Sequence, residues 1–173
     1  RSSDLVDKFD INYAHNEQGT SLLIACKRQM PIVASKILSL CSTSILDTVD
    51  PINKSYNAFA YGCKNNMNDV CAELLSYPDK IGLSDSEIRK NIFIHIKKNQ
   101  SHAILRLILE HRPSYAKVIL QEYLDDMREG ARDMFYMKDH ILTSNRDPKS
   151  RYTFLKKSLD SRIEMAKKFL ILF

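Results

Sequence analysis

The stretch TSLLIACKRQMPIVASKIL at residues 20–38 decides the expected fold. It opens on a hydroxyl residue, continues through an apolar run, breaks at polar residues and closes on the pair Ile37 and Leu38. The same outline returns in NAFAYGCKNNMNDVCAELL at residues 57–75 and in NIFIHIKKNQSHAILRLIL at residues 91–109. The three starting points are 37 and 34 residues apart. Self-similarity at such periods is typical of stacked helical repeats.

Each copy of the outline is interpreted as two short helices. In the first copy, Leu22, Ala25 and Cys26 share one helix face. A second apolar set, expected to form the face of the next helix, consists of Ile32, Val33, Ile37 and Leu38. Pro31 suits the opening of that second helix, because the N–H that proline lacks has no partner there in any case.

The second copy repeats these features with different residues. Its first helix is expected to bury Phe59, Gly62 and Cys63, and its second helix Val70, Leu74 and Leu75. Asn66 lies in the break, where asparagine tolerates the left-handed backbone of a sharp turn better than most residues do. Phe93 is the corresponding large apolar residue of the third copy. Helix pairs this short cannot bury their apolar faces alone, so neighbouring pairs are expected to stack.

With these residues in view, residues 4–112 resemble an ankyrin-repeat array in a degenerate form. The T-P-L-H-x-A signature of the family matches the segments that open at Thr20, Asn57 and Asn91, although the proline and histidine are lost each time. The connector at residues 9–19 resembles the D-x-N finger hairpin of the family. A helical-hairpin repeat of another kind, or an irregular helical domain, is the alternative.

The resemblance implies an all-α fold, a helical solenoid with a helical C-terminal cap. Residues 1–112 would hold the repeats and residues 113–173 the cap or extension. The expected units lie near residues 20–52, 53–86 and 87–112, preceded by a partial unit, so the chain is expected to start inside a repeat. Helical patterns predict cap helices at residues 115–127, 131–142 and 152–173.

The net charge of +5 is concentrated at the C-terminal end, where residues 146–173 hold eight Lys and Arg residues against three Asp and Glu residues. One helix face there is predicted to contain Tyr152, Leu155, Leu159, Ile163, Ala166, Leu170 and Phe173. We expect this face to dock on the last repeat, because an uncapped array would expose apolar surface. Contact of this basic helix with an anionic membrane is the alternative.

No arrangement of residues predicts catalysis. The histidines and cysteines lack zinc-ligand spacing, the glycines lack phosphate-loop spacing, and a pairing of Cys71 with His102 has no support in the sequence. Cysteines without C-x-x-C spacing are expected to be reduced, buried thiols, as in the cytosol. The chain is therefore expected to be no enzyme and to need no cofactor.

The resemblance implies a binding surface made of finger tips and the ends of the first helices. The residues at those positions are Tyr13, His15, Lys27, Arg28, Tyr56, Lys64, Asn65, Lys98 and Asn99. Three adjacent pairs in this set begin with lysine: Lys27-Arg28, Lys64-Asn65 and Lys98-Asn99. These lysines predict a basic ladder, a row of positive charges that binds an acidic segment of a partner protein. The alternative is that these lysines only complement helix C-terminal dipoles.

The expected function is a non-catalytic protein-interaction module that uses groove and fingers. The alternative is a substrate-recruiting segment of a larger enzyme whose catalytic domain lies outside this chain. The composition and the decayed repeats also resemble ankyrin effectors of intracellular bacterial pathogens, which would place the protein in host cytosol as a virulence factor. Nucleic acid is disfavoured as a partner, because residues 1–145 balance to zero charge.

Overall fold

The structure of the chain is a computed structural model that describes residues 10–81, 83–96, 102–136 and 148–172. The described chain is mostly helical, and its strands form one hairpin of two-residue strands. The prediction of an all-α chain is confirmed at this level.

Two compact units divide the chain, the first ending at His111 and the second beginning at Arg112. In the first unit, strands β1 (Ala14–His15) and β2 (Gly19–Thr20) are antiparallel, with Ala14 opposite Thr20. The helices of this unit are α1 (Ser21–Lys27), α2 (Pro31–Leu38), α3 (Ala58–Lys64), α4 (Asn68–Leu75), α5 (Asp85–Asn91) and α6 (His102–His111). A π-helical turn at Ile92–Ile96 continues α5, and 3-10 turns lie at Thr43–Ile45 and Pro78–Lys80.

The helices of the first unit form two rows. Helix α1 packs against α3, and α3 packs against the π turn. In the second row, α2 packs against α4, and α4 against α6, while α1 and α2 contact each other as α3 and α4 do. The core between the rows includes Leu22 and Phe59 from the first row and Leu74 and Ile108 from the second, all buried.

Side-chain caps define the starts of the first-row helices. The Thr20 hydroxyl accepts from the Leu23 N–H at 3.2 Å, and the side-chain amide oxygen of Asn57 accepts from the Ala60 N–H at 2.9 Å. Such caps satisfy N–H groups that have no partner within the helix. Both helices therefore begin where the first two outlines open.

The turns within the first two helix pairs share the same backbone geometry. Gln29 and Asn66 adopt positive φ angles of 58° and 56°. Just after them, the Met30 N–H donates to the Ala25 carbonyl and the Met67 N–H to the Gly62 carbonyl, each at 2.9 Å. The predicted left-handed conformation of Asn66 and the predicted place of Pro31 at the start of α2 are confirmed.

Gly62 marks a close approach between α3 and α4. A Cβ atom at this position would lie 2.7 Å from the Cys71 sulfur. Real side chains do not tolerate that separation, so a larger residue would push the two helices apart. The predicted burial of Cys63, Val70, Leu74 and Leu75 is confirmed.

The predicted face of α2 is partly wrong. Ile32 and Val33 are exposed, whereas Ala34 and Leu38 form the buried face and Ile37 is half-buried. Ala34 and Leu38 are four residues apart and so lie on one side of the helix. The error arose because the larger aliphatic residues were assigned to the core and the small Ala34 was not.

The third outline, placed at residues 91–109, misses the start of its first helix. That helix begins at Asp85 with Ser84 as its cap, and the Ser84 hydroxyl accepts from the Glu87 N–H at 3.3 Å. Phe93 is only half-buried and lies under the Arg89 guanidinium at 5.0 Å. The core positions of this helix are Ile88, Ile92 and Ile96.

The second unit is a pair of long helices, α7 (Pro113–Tyr136) and α8 (Pro148–Leu172), that pack against each other. The predicted break between helices at 115–127 and 131–142 is wrong over the described residues, because α7 continues without interruption from the first segment to Tyr136 in the second. Residues 137–147 lie outside the described part of the chain. In α7, Ile119, Tyr123 and Met127 are buried, whereas Val118 is exposed.

The predicted face of α8 is only partly covered. Ala166 is buried, and Tyr152, Leu159, Ile163 and Leu170 are half-buried, but Leu155 is exposed. Phe173 lies outside the described residues. The cap role of this helix and its membrane alternative both stay predictions.

Candidate functional site

The first finger loop precedes α1 and holds two of the predicted site residues. The Asn12 N–H donates to the Asp10 carboxylate at 2.9 Å, and the Tyr13 N–H donates to the Asp10 carbonyl at 3.0 Å. This turn leaves the Tyr13 side chain 62% exposed. The His15 side chain is exposed too, but its Nδ1 accepts from the Glu17 N–H at 3.2 Å. Tyr13 is therefore the freer of the two for contact with a partner.

A second finger loop of similar design precedes α3. The Asp50 carboxylate accepts from the N–H groups of Ile52 and Asn53 at 2.9 and 3.2 Å, and the Asp50 N–H donates to the Tyr56 carbonyl at 2.7 Å. Ile52 lies at the tip with 77% of its side chain exposed. The two fingers are neighbours, since a Cβ added to Gly19 of the first would lie 3.4 Å from Pro51 of the second.

Asp50 is a buried carboxylate with a full set of donors. Only 1% of its side chain is exposed, and Oδ2 accepts from the Lys27 ammonium at 2.7 Å and the Tyr61 hydroxyl at 2.6 Å. Burial raises the pKa of this carboxyl, but the hydrogen bonds from Lys27, Tyr61 and two backbone N–H groups outweigh it and hold the pKa below its usual value. Asp50 thus joins the second finger to α1 and α3.

Two predicted lysines approach one aromatic ring beside Asp50. The Lys27 ammonium lies 5.9 Å from the Tyr61 ring centroid, and the Lys64 ammonium lies 5.8 Å from the same centroid. Lys64 also lies 5.2 Å from the Tyr56 ring, which stacks on Tyr61 with centroids 4.7 Å apart. The ring of buried His95 is 5.2 Å from Tyr56. We name Lys27, Asp50, Tyr56, Tyr61, Lys64 and His95 the aromatic–lysine cluster.

Asn65, also predicted to bind a partner, holds neighbouring helix pairs together. Its amide nitrogen donates to the Cys26 carbonyl at 2.7 Å, and its amide oxygen accepts from the Gln29 side chain at 3.3 Å. These bonds use the amide for contact between α1 and α3. Lys98 and Asn99, the last predicted pair, lie outside the described residues.

Arg28 differs from its neighbour Lys27. The Lys27 charge is neutralised by Asp50, whereas the exposed Arg28 guanidinium has no ion-pair or hydrogen-bond partner within the described residues. Both residues lie on the wall of a cleft of about 230 Å³ between the fingers, which we name the finger cleft. It is lined by Glu17, Gln18, Ile24, Lys27, Arg28 and Ile52.

Asp50, Tyr61 and His95, the buried members of the aromatic–lysine cluster, were not predicted from the sequence. One signal could have identified Asp50: the segment Asp50-Pro51-Ile52-Asn53 has an aspartate and a following asparagine, as in Asp10-Ile11-Asn12 of the first finger. No such signal exists for the Lys27–Asp50 ion pair, because its partners are 23 residues apart.

The cysteines are poor nucleophiles. Burial, together with the nearby Cys71 thiol, raises the pKa of Cys26 to about 12, and burial also raises the pKa of Cys63. All four cysteines are free, and Cys41 alone among these four is not fully buried. Neutral buried thiols pack as small apolar groups and react slowly.

We therefore expect one thiol of the native protein, Cys41, to react with Ellman's reagent at pH 8 well before the others. All four should react at once in guanidinium chloride. Cys41→Ser is expected to remove the early phase and leave the slow phase unchanged. Two or more fast thiols in the native protein would contradict the described burial.

Among the described residues, no three His, Cys, Asp or Glu side chains lie close enough together to hold a metal ion. Within the same residues, no helix has the length and apolar character needed to cross a membrane. The described site offers cations, an exposed aliphatic tip and aromatic rings, which suit binding. No family model, curated protein or solved structure matches this chain.

Proposed function

We propose that this chain is a non-catalytic protein-interaction module, an ankyrin-like helical repeat array with a helical C-terminal extension. Its partner binds to the finger loops and the groove beside them. The observation that carries the proposal is the finger surface: Ile52 and Arg28, which has no ion-pair partner within the described residues, are exposed along the finger cleft, and Tyr13 is exposed in the first finger loop. Exposed aromatic, aliphatic and arginine side chains in one place are typical of interaction surfaces.

The repeat interpretation is supported by features that recur at equivalent places. Both of the first two helix pairs have a polar cap, a left-handed residue in the turn and a preceding aspartate-anchored loop. A scaffold of this kind holds its loops on rigid helices, so that binding residues are positioned before the partner arrives. The four free thiols agree with a reducing cytosol, in a host cell if the protein is delivered there.

The experiment places a photo-crosslinking amino acid, p-benzoylphenylalanine, at position 13 or 52 and irradiates the protein in cell lysate. We expect one defined crosslinked partner from both positions. Position 36 on α2 is the control, because Lys36 is exposed and lies outside the finger cleft. Equal crosslinking from position 36, or none from the fingers, would contradict the proposal.

Two charge-changing substitutions then test whether the partner binds at the groove. Arg28→Glu and Ile52→Asp are each expected to weaken partner binding about thirty-fold or more, since a hot-spot residue contributes about 2 kcal/mol or more. Lys36→Glu should leave affinity unchanged, and wild-type affinity should fall as salt rises. Lys27 is unsuited to reversal, because glutamate there would lie beside the buried carboxylate of Asp50. If neither Arg28→Glu nor Ile52→Asp changed the affinity, the partner would bind to another surface.

A further inference from the structure

The finger cleft is small and chemically mixed. Its volume of about 230 Å³ is below the roughly 300–1,000 Å³ typical of small-molecule pockets, so it accommodates one or two side chains better than a whole cofactor. Ile24 and Arg28 are four residues apart at the end of α1 and therefore face the same side. Ile52 contributes from the second finger, and Glu17 and Gln18 from the first.

The apolar part of the cleft has no cover within the described residues. Ile52 is 77% exposed and Ile24 is half-buried, although both are aliphatic. An aliphatic side chain of a partner placed between them would remove apolar surface of all three residues from water. Gln18 adds an amide that can donate to and accept from a peptide backbone.

The cations of the cleft are Lys27 and Arg28. Lys27 is ion-paired with Asp50 at 2.7 Å, and the Arg28 guanidinium has no such partner in the described chain. Guanidinium binds a carboxylate through two parallel hydrogen bonds. A partner carboxylate at Arg28 would therefore find complementary charge and geometry next to the aliphatic surface.

We propose that the finger cleft recognises a peptide segment in which a large aliphatic residue adjoins a glutamate or aspartate. The aliphatic side chain packs between Ile24 and Ile52, and the carboxylate binds Arg28. This inference rests on the proposed function and specifies the chemistry of the partner.

A phosphorylated residue fits the cleft less well than a carboxylate. Phosphate carries close to two negative charges at neutral pH and is usually recognised by clusters of arginine residues. Here Arg28 is the one cation of the cleft without a described counter-charge, and Glu17 also lines the cleft. A second negative charge would meet repulsion from Glu17 without a second free cation.

The test uses ¹⁵N-labelled protein and four unlabelled decapeptides of glycine and serine with different central residue pairs. The pairs are Leu-Glu, Leu-Gln, Ala-Glu and Leu-phosphoserine. Titrations followed by amide chemical shifts measure weak affinities and also locate the binding surface. We expect the Leu-Glu peptide to shift the amide signals of Gln18, Ile24, Arg28 and Ile52. It should bind at least about five-fold more tightly than each of the three other peptides, a difference of the size that one exposed ion pair allows.

Variants separate the two parts of the cleft. Arg28→Gln is expected to abolish the preference for Leu-Glu over Leu-Gln, whereas Lys36→Gln, which removes the same charge elsewhere, should retain it. Ile52→Ser should weaken both leucine peptides alike. All three residues are exposed, so an otherwise unchanged amide spectrum will show that the variants fold.

Equal binding of Leu-Glu and Leu-Gln would overturn the inference, and so would tighter binding of the phosphoserine peptide or shifts confined to other surfaces. Failure of the proposed function is recognised separately. Finger crosslinks to a protein, without any preference for Leu-Glu, would remove only this inference, whereas the absence of finger crosslinks would remove the proposed function itself.

Discussion

Phe59→Ala is expected to destabilise the first unit by about 3–5 kcal/mol, the usual cost of emptying a fully buried aromatic site. Phe59 is 1% exposed in α3, and α3 contacts α1, α4 and the π turn. Its ring therefore lies where several helices of the unit meet. The surrounding backbone can collapse only partly into the cavity that the substitution would leave. Leu74→Ala in α4 should cost about 2–5 kcal/mol for the same reason. Urea unfolding followed by circular dichroism measures both.

Matched controls come from an exposed phenylalanine and an exposed branched aliphatic residue. Phe154 is 70% exposed in α8 and Ile32 is 85% exposed in α2. Phe154→Ala and Ile32→Ala are therefore expected to change stability by less than about 0.5 kcal/mol, as surface substitutions usually do. If Phe59→Ala were as mild as Phe154→Ala, the packing of α3 in the core would be wrong.

The first two helix pairs were predictable because their signals are local. A polar cap, an apolar spacing of three and four residues, a turn residue and a second apolar spacing all lie within about one repeat length. Gln29 shows where the local signal ends. Glutamine has no special tolerance for positive φ, so only its place, equivalent to Asn66, indicates the left-handed turn.

The third pair was misplaced because its start is polar. Ser84 is followed by Asp85 and Ser86, so no apolar run marks the helix, although Ser84 and Glu87 have the S-x-x-E spacing of a capping box. The core residues Ile88, Ile92 and Ile96 are each four apart, a spacing that drifts around a regular helix of 3.6 residues per turn. The π turn at Ile92–Ile96 widens the helix there and reduces this drift.

The second unit was divided wrongly between Met127 and Ala131, the segment that contains Gly130. Glycine in a helix costs only about 1 kcal/mol relative to alanine, which long neighbouring helical segments easily outweigh. Gly130 is exposed, and a Cβ atom there would meet nothing within 4 Å. No close packing requires a glycine here, so Gly130 marks neither a helix break nor a close contact between helices.

The candidate site shows a different limit of sequence reasoning. Lys27 and Lys64 were identified from their repeat positions, but their distinct roles depend on their partners, of which Asp50 is 23 residues from Lys27. Asp50 neutralises Lys27, and the rings of Tyr56 and Tyr61 lie beside Lys64. Only the fold brings Lys27 and Asp50 together, so Lys27 forms an ion pair, Lys64 lies beside aromatic rings, and Arg28 has no ion-pair partner within the described residues. Lys98, the third lysine of the predicted ladder, lies outside those residues.

Asp50→Ala is expected to destabilise the first unit by about 3 kcal/mol, because it removes the acceptor of several buried hydrogen bonds at once. The Tyr61 hydroxyl and the N–H groups of Ile52 and Asn53 would lose their partner, and the second finger would lose its link to α1. Glu110→Ala is the control, because it breaks the exposed ion pair between Arg106 and Glu110 and should cost less than about 1 kcal/mol. Urea unfolding distinguishes these outcomes.

The pH dependence of folding stability in acid isolates the contribution of the Asp50 charge. Its pKa is lower in the folded protein than the value of roughly 3.9 expected when unfolded, so ionisation stabilises the fold above that pH. This stabilisation should be constant from about pH 7 to pH 5 and decline progressively below about pH 4, as the unfolded state begins to bind a proton that the folded state excludes. Asp50→Asn has no such charge, so the stability gap between wild type and Asp50→Asn should narrow in that window. A gap that stayed constant down to pH 2 would show that the Lys27–Asp50 charge pair does not stabilise the fold.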